Sequence, residues 1–190
     1  MLFSALLLAG GRSTRMGTDK AGVVIDGAPL WQRQLATLRA TGPADIFISG
    51  GPGGPYAESG CEIIQDQEPD QGPLAGLSAA WRHVSSDLLL VLAIDLPDVK
   101  TAFLQQIVKL AVEQGRGVVP MSEERFEPLA AVYSRATAPL IEECLQGADR
   151  SLQRFVREAV RRELVTIWPL SGEELPLFRN VNTPADLTGC

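Results

Sequence analysis

The sequence predicts a doubly wound α/β fold, a mostly parallel sheet covered by helices on both faces, and three observations carry that expectation. Strand-like runs alternate with helix-like runs through most of the chain. The run from Asp87 to Ala93 is apolar enough for a strand buried on both faces, as central parallel strands are. Strand-like segments end repeatedly on glycine-bearing loops, the joints from which such folds launch their helices. At 190 residues the chain has the length of one α/β domain, so a single domain over 1–190 is expected.

Taken in order, Phe3 to Leu8 is an apolar first strand that empties into Gly10-Gly11. Pro29 suits a first helical turn, and Trp31, Leu35 and Leu38 recur at helical spacing, which makes Trp31 a core residue. Ala44 to Ser49 reads as the second strand, followed by a glycine–proline loop from Gly50 to Pro55 that either faces the ligand or merely connects. Cys61 to Gln65 is a short third strand, and Gly72-Pro73-Leu74-Ala75-Gly76 opens a helix reaching about Val84. The Asp87–Ala93 strand ends on Ile94-Asp95-Leu96-Pro97, and Phe103, Leu104, Ile107, Val108 and Ala111 form the inner stripe of the next helix. Strands are expected at Gly117–Met121 and Glu127–Tyr133, helices around Leu140–Leu145 and Leu152–Val156, and a last strand at Leu164–Trp168. Thr183 and Pro184 suit the cap and first turn of a short final helix.

The net charge of −6 argues against a general nucleic-acid or anionic-membrane surface, so small molecules are the expected partners. No apolar stretch reaches the roughly 18 residues that a membrane span needs, and the chain runs from Met1 into the first strand with no signal-like segment. Cys61, Cys144 and Cys190 lack C-x-x-C spacing, which indicates neither a disulfide framework nor a zinc site and suits the cytoplasm.

The opening LLLAGGRSTRMGTDK reads as a phosphate cradle. Gly10 and Gly11 leave the main chain free to turn successive N–H groups toward one anion, and Arg12, Arg15 and Lys20 add full positive charge. A P-loop is excluded because five residues separate Gly11 from Gly17 and Lys20 follows Thr18-Asp19 in the wrong order. The dinucleotide fingerprint G-x-G-x-x-G is excluded by spacing as well.

Asp95 is the strongest single candidate elsewhere. A carboxylate at the end of a buried strand lies at the crevice where α/β sheets bind ligands, and Mg²⁺ needs only one or two carboxylates when substrate phosphates complete its shell. Asp66, at the end of another strand, is favoured over Asp70 as an acceptor of hydrogen bonds from a nucleoside, with turn chemistry as the alternative. Gly72 and Gly76 permit either close approach of the backbone to a ligand or close helix packing. Asn180 and Asn182 offer donors and acceptors for a second substrate or a metal's water shell, against helix capping as the rival account. His83, the one histidine, reads as structural, and no nucleophile constellation is visible.

Leu8-Ala9-Gly10-Gly11, Arg15-Met16-Gly17 and Asp19-Lys20 match the L-A-G-G-x-x-x-R-M-G-x-D-K signature of nucleotidyltransferases, which transfer a nucleoside monophosphate and release pyrophosphate. With APLWQRQ at the first helix, GPLAG at 72–76, IDLP at 94–97 and FRNVNTPADL at 178–187, nearly the whole chain resembles the molybdenum cofactor guanylyltransferase family. That resemblance implies a Rossmann-like nucleotidyltransferase domain whose substrates are GTP and molybdopterin. It puts Leu8, Ala9, Gly10, Lys20, Asp66 and Asp95 at the GTP site, Mg²⁺ on Asp95, and Asn180 and Asn182 toward the pterin. A molybdoenzyme or its chaperone would take the product. The Gly10-Gly11 amides, Arg15 and Lys20 would neutralise charge on the leaving pyrophosphate. The chain departs from the family pattern at Ser49-Gly50, where an asparagine is frequent, at Ile94, where a cysteine is common, and at Glu127, where a histidine often precedes Pro128-Leu129. The Ile94 change reads as packing, whereas the Glu127 change bears on acceptor contacts.

Three rival readings stay open on the sequence. Two keep the chemistry but change the base or acceptor: a cytidylyltransferase acting on molybdopterin, or a sugar-phosphate nucleotidyltransferase. The third is a non-catalytic nucleotide-binding or cofactor-delivery protein that keeps the cradle without turnover.

Overall fold

A computed structural model describes residues 2–10, 20–25, 27–51, 54–65, 72–123 and 125–181, with Lys20 described through its main chain. Among the described residues ten strands and five α-helices follow one another as β1 (Phe3–Leu8), β2 (Val24–Ile25), β3 (Ala28–Pro29), α1 (Leu30–Arg39), β4 (Ile46–Ser49), β5 (Glu62–Ile64), α2 (Pro73–Trp81), β6 (Leu88–Ala93), α3 (Thr101–Gln114), β7 (Gly117–Ser122), β8 (Arg125–Phe126), β9 (Ala130–Ser134), α4 (Ala138–Gln146), α5 (Leu152–Arg161) and β10 (Val165–Pro169). The main sheet has the order β10-β7-β9-β6-β1-β4-β5, with β8 paired to β7, and β2 and β3 form a separate two-stranded hairpin.

The central strands are buried because helices cover both faces. Ala5 and Leu7 of β1 join one apolar cluster with Leu30, Trp31, Leu35 and Leu38 of α1 and the inner stripe of α3. Leu6 and Leu8 join the opposite cluster with α2, α4 and α5. Successive side chains of a strand point to opposite faces, so an uninterrupted apolar run is what a two-faced core requires. Trp31 is buried as expected, and so is Ile94.

β1 pairs in parallel with β4 on one side and with β6 on the other. The chain leaves β1 toward β4 and β5, then crosses through α2 to β6, which creates a topological switch point at the carboxyl ends of β1 and β6. Such a crevice is where open α/β sheets bind ligands.

Several expectations need correction. The strand expected over Glu127–Tyr133 starts later, at Ala130, and Arg125–Phe126, expected in a loop, pairs with β7. Within the mostly parallel sheet that the sequence predicts, β9 runs antiparallel to both β6 and β7. Pro29 does not sit in the first helical turn but precedes it, pairing with Val24 in the hairpin. The helix expected to reach Val84 ends at Trp81. The proposed cap at Thr183 and helix start at Pro184 lie outside the described residues.

Candidate active site

The carboxyl end of β1 is fixed on both flanks. Ala9 donates its N–H to the Ser49 carbonyl at 2.8 Å, and the Leu8 carbonyl accepts from the Ile94 N–H at 3.0 Å. The second bond seats the Ile94-Asp95 turn directly beside Leu8-Ala9-Gly10, the start of the glycine signature. Leu8 and Ala9 are buried and Gly10 is exposed, so the main chain surfaces at the switch point.

Asp95 is half-buried there, with its Oδ1 shielded from solvent. Its turn is held from beneath by Gln34, a buried side chain on the inner face of α1. The Gln34 Nε2 donates to the Ala93 carbonyl at 3.0 Å and to the Leu96 carbonyl at 2.8 Å, bracketing Ile94 and Asp95. The Asp95 carbonyl in turn accepts the Val181 N–H at 2.9 Å, which brings Asn180 to the same edge. Asn180 itself is exposed. The Phe178 ring, edge-on to Phe103 with centroids 5.3 Å apart, anchors this returning segment, and Arg179 pairs with Asp98 at 3.0 Å.

The structure thus brings together Leu8, Ala9, Gly10, Asp95 and the Asn180-Val181 segment. Gly11, Arg15, Asp66, Asp70 and Asn182 lie outside the described residues, and the Lys20 main chain starts a 3-10 turn through Gly22. Gly72 holds a positive φ of 77° immediately before α2, a backbone requirement that accounts for the glycine; Gly76 is buried within that helix. His83 is exposed and hydrogen-bonded to Glu62 at 2.6 Å, a surface contact remote in kind from catalysis.

Two positioning residues escaped the sequence reading. Gln34 was one; its only signal was a polar residue at helical spacing inside the Trp31–Leu38 stripe. Tyr56 was the other. Its buried ring stands edge-on to Trp31 with centroids 5.8 Å apart, and its hydroxyl reaches the Ala9 carbonyl at 3.4 Å. A Cβ at Gly50 would come within 2.7 Å of that ring, which explains glycine in the loop behind β4.

On the other side of Asp95, the Leu129 carbonyl accepts the Ala93 N–H at 2.7 Å, so the Glu127-Pro128-Leu129 segment borders the same edge. Glu127 is half-buried. Burial pushes its carboxyl pKa above the ordinary value, opposed by a hydrogen bond from Ser122 and by the charge of Arg125. Among the described residues no three His, Cys, Asp or Glu side chains gather as a metal cage, and Asp95 offers a hard carboxylate oxygen at the crevice. A divalent ion that draws its remaining ligands from substrate phosphates suits such a donor.

The family model for the MobA-like NTP transferase domain matches residues 5–164. The chain belongs to that family. It is therefore a nucleotidyltransferase, and its signature begins, at Leu8-Ala9-Gly10, beside the β1–β6 crevice. A probable molybdenum cofactor guanylyltransferase from Opitutus terrae is 34% identical over 95% of this chain and 90% of its own length. A molybdenum cofactor guanylyltransferase from Serratia proteamaculans is 31% identical over 96% of this chain and 91% of its own. Among solved structures, the molybdopterin-guanine dinucleotide biosynthesis protein A of Archaeoglobus fulgidus superposes with a TM-score of 0.77 at 28% identity, covering 97% of this chain and 94% of that one. A protein named as a putative glucose-1-phosphate thymidylyltransferase, from Bacillus anthracis, shares the fold alone, with a TM-score of 0.76 at 13% identity over 97% of this chain and 92% of that one. Among the described residues no helix is long and apolar enough to cross a membrane.

Proposed function

We infer that this chain transfers GMP from GTP to molybdopterin, giving the guanine dinucleotide form of the molybdenum cofactor and pyrophosphate. The observation that supports the geometric side is the Leu8–Ile94 hydrogen bond, which joins Leu8, where the signature begins, to the turn that carries Asp95. The relatives named as guanylyltransferases, similar over nearly the full length, supply the base and the acceptor.

In the reaction an oxygen of the molybdopterin terminal phosphate attacks the α-phosphorus of GTP, and the bond to the β-phosphate oxygen breaks as pyrophosphate leaves. The chain has no covalent chemistry to perform, so its work is positioning and charge stabilisation. Backbone amides at Gly10-Gly11 and the side chains of Arg15 and Lys20 are assigned to the charge that grows on the leaving group. Asp66 is assigned to the nucleoside, and Asn180 and Asn182 to the acceptor. Asp95 would hold the divalent cation, which we take to be Mg²⁺. When bound, that ion polarises phosphate oxygens and offsets their negative charge. We place the whole activity in one domain spanning 1–190 and in the cytoplasm, with a molybdoenzyme or its chaperone receiving the product.

A panel of GTP, CTP, ATP and UTP, each offered with molybdopterin and Mg²⁺, tests this reading through pyrophosphate release. GTP is expected to lead; preference for CTP overturns the choice of base, and nucleotide binding without release makes the protein a carrier.

A further inference from the structure

The edge beside Asp95 has a second wall that the transfer chemistry does not use. Residues 125–129 leave β8 and run into β9, held by bonds from several elements. Gln153 of α5 clasps Phe126 from the side, its Nε2 donating to the Phe126 carbonyl at 2.8 Å and its Oε1 accepting the Phe126 N–H at 3.2 Å. The Glu127 N–H donates to the Pro120 carbonyl at 2.8 Å. The buried Tyr133 hydroxyl donates to the Pro128 carbonyl at 2.8 Å, and Leu129 closes onto Ala93. A loop bonded at four consecutive residues holds its side chains in fixed places.

The side chain so placed is Glu127. The last rung of the β6–β9 ladder is Leu92–Ala130; Asp95 follows it by three residues and Glu127 precedes it by three, so both leave the same end of the same strand pair. The Ser122 hydroxyl, at the end of β7, donates to Glu127 Oε1 at 3.3 Å. Ionising this half-buried carboxyl is opposed by desolvation, so the fold retains it against a stability cost. Polar groups kept on those terms cluster at functional sites.

We propose that Glu127, braced by Ser122, determines acceptor specificity by accepting the two adjacent N–H donors, ring amide and exocyclic amino group, on one edge of the molybdopterin pterin. The proposal rests on molybdopterin being the acceptor. A carboxylate repels the terminal phosphate with which the acceptor attacks, so it suits the opposite end of the acceptor. The pterin's donor edge offers it a planar, paired match of the kind carboxylates hold best. Guanine carries a similar edge, but Glu127 stands on the β6–β9–β7 side of the sheet, across β1 from the β4–β5 side to which the nucleoside is assigned.

Binding of 6-hydroxymethylpterin, followed by its intrinsic fluorescence anisotropy, is compared for the full chain and its Glu127→Gln and Ser122→Ala variants, alongside KM for molybdopterin and for GTP in pyrophosphate release. Glu127→Gln is isosteric and is expected to weaken pterin binding and raise acceptor KM by about 10–100-fold, the effect of losing a charge-assisted hydrogen bond. Ser122→Ala should move both in the same direction by less, and GTP KM should move far less than acceptor KM. Unchanged pterin binding in Glu127→Gln, no pterin binding by the unmodified chain, or a GTP KM that rises as much as the acceptor's overturns the proposal. Pterin binding that depends on Glu127 in a chain that releases no pyrophosphate upholds the pterin site and removes the transfer reaction instead.

Discussion

Replacing Gln34 with leucine tests whether Asp95 is held from below. The substitution keeps the volume of a buried residue and deletes two donors, those to the Ala93 and Leu96 carbonyls. Neither carbonyl becomes an orphan: Ala93 still receives the Leu96 N–H at 3.4 Å and Leu96 the Val99 N–H at 3.3 Å. The cost is therefore that of two ordinary hydrogen bonds, about 1–3 kcal/mol, and not the larger penalty of two stripped carbonyls. For a domain of this size that lowers Tm by roughly 2–12 °C. Turnover should suffer more than stability. A misplacement of about 1 Å at a positioning residue can cost on the order of a hundredfold, so a fall of roughly 10–100-fold in kcat for pyrophosphate release is expected from protein that remains folded by circular dichroism. Leu38→Ala, one turn further along the same buried stripe, is the control, because it destabilises by about 2–5 kcal/mol while leaving both Gln34 donors in place. If Gln34→Leu loses stability as expected but keeps turnover within about twofold of normal, the reasoning that links the carboxamide to Asp95 fails.

Lys20→Ala and Asp95→Ala should each lose at least about a hundredfold in turnover while remaining folded, since one well-placed cation or its ligand is worth roughly 3–4 kcal/mol in such a transition state; near-normal rates in both would sink the site assignment. On α5, Glu158 accepts from Arg161 Nε at 2.7 Å and also pairs with Arg162, which in turn reaches Glu143 at 2.9 Å. These guanidinium hydrogen bonds pull the Glu158 carboxyl down from 4.5 to about 2. Its contribution is present above pH 4.5 and fades as pH falls toward 2, so urea midpoints of the native chain and Glu158→Gln should converge in acid and separate near neutrality. Because the pairs lie at the surface, added salt should shrink that separation; a gap independent of both pH and salt would contradict the ion-pair account.

The parts of the fold that were legible in advance are those written in side-chain periodicity. β1 and β6 read as continuous apolar runs because both faces of the sheet are covered, and the stripes of α1 and α3 recur every three or four residues. Strand direction leaves no such mark, so β9 carried no sign that it would run antiparallel between β6 and β7. The two-residue strands β2, β3 and β8 are too short to show any period. The strand expected from Glu127 was read three residues early because Pro128 and Leu129 continue the apolar run, while their backbone groups bond to Tyr133 and Ala93 in a turn. At the site, Asp95 was legible because a carboxylate interrupts an apolar strand end. Gln34 and Tyr56 were not, because a buried amide and a buried phenol differ from surface ones only in the partners the tertiary structure brings.

On the proposed assignment, the two sides of the crevice are built differently. The donor side is made of main chain: β1 bonded to β4 and, through Leu8, to the turn after β6, at the centre of the sheet. Altering it disturbs the two strands on which the core is organised. The acceptor side is held by side chains as well, the Gln153 amide, the buried Tyr133 hydroxyl and the Ser122–Glu127 pair, beside main-chain bonds to Pro120 and from Ala93. On that assignment Glu127 gives the acceptor edge a hydrogen-bond acceptor, since a carboxylate accepts where a protonated imidazole can only donate.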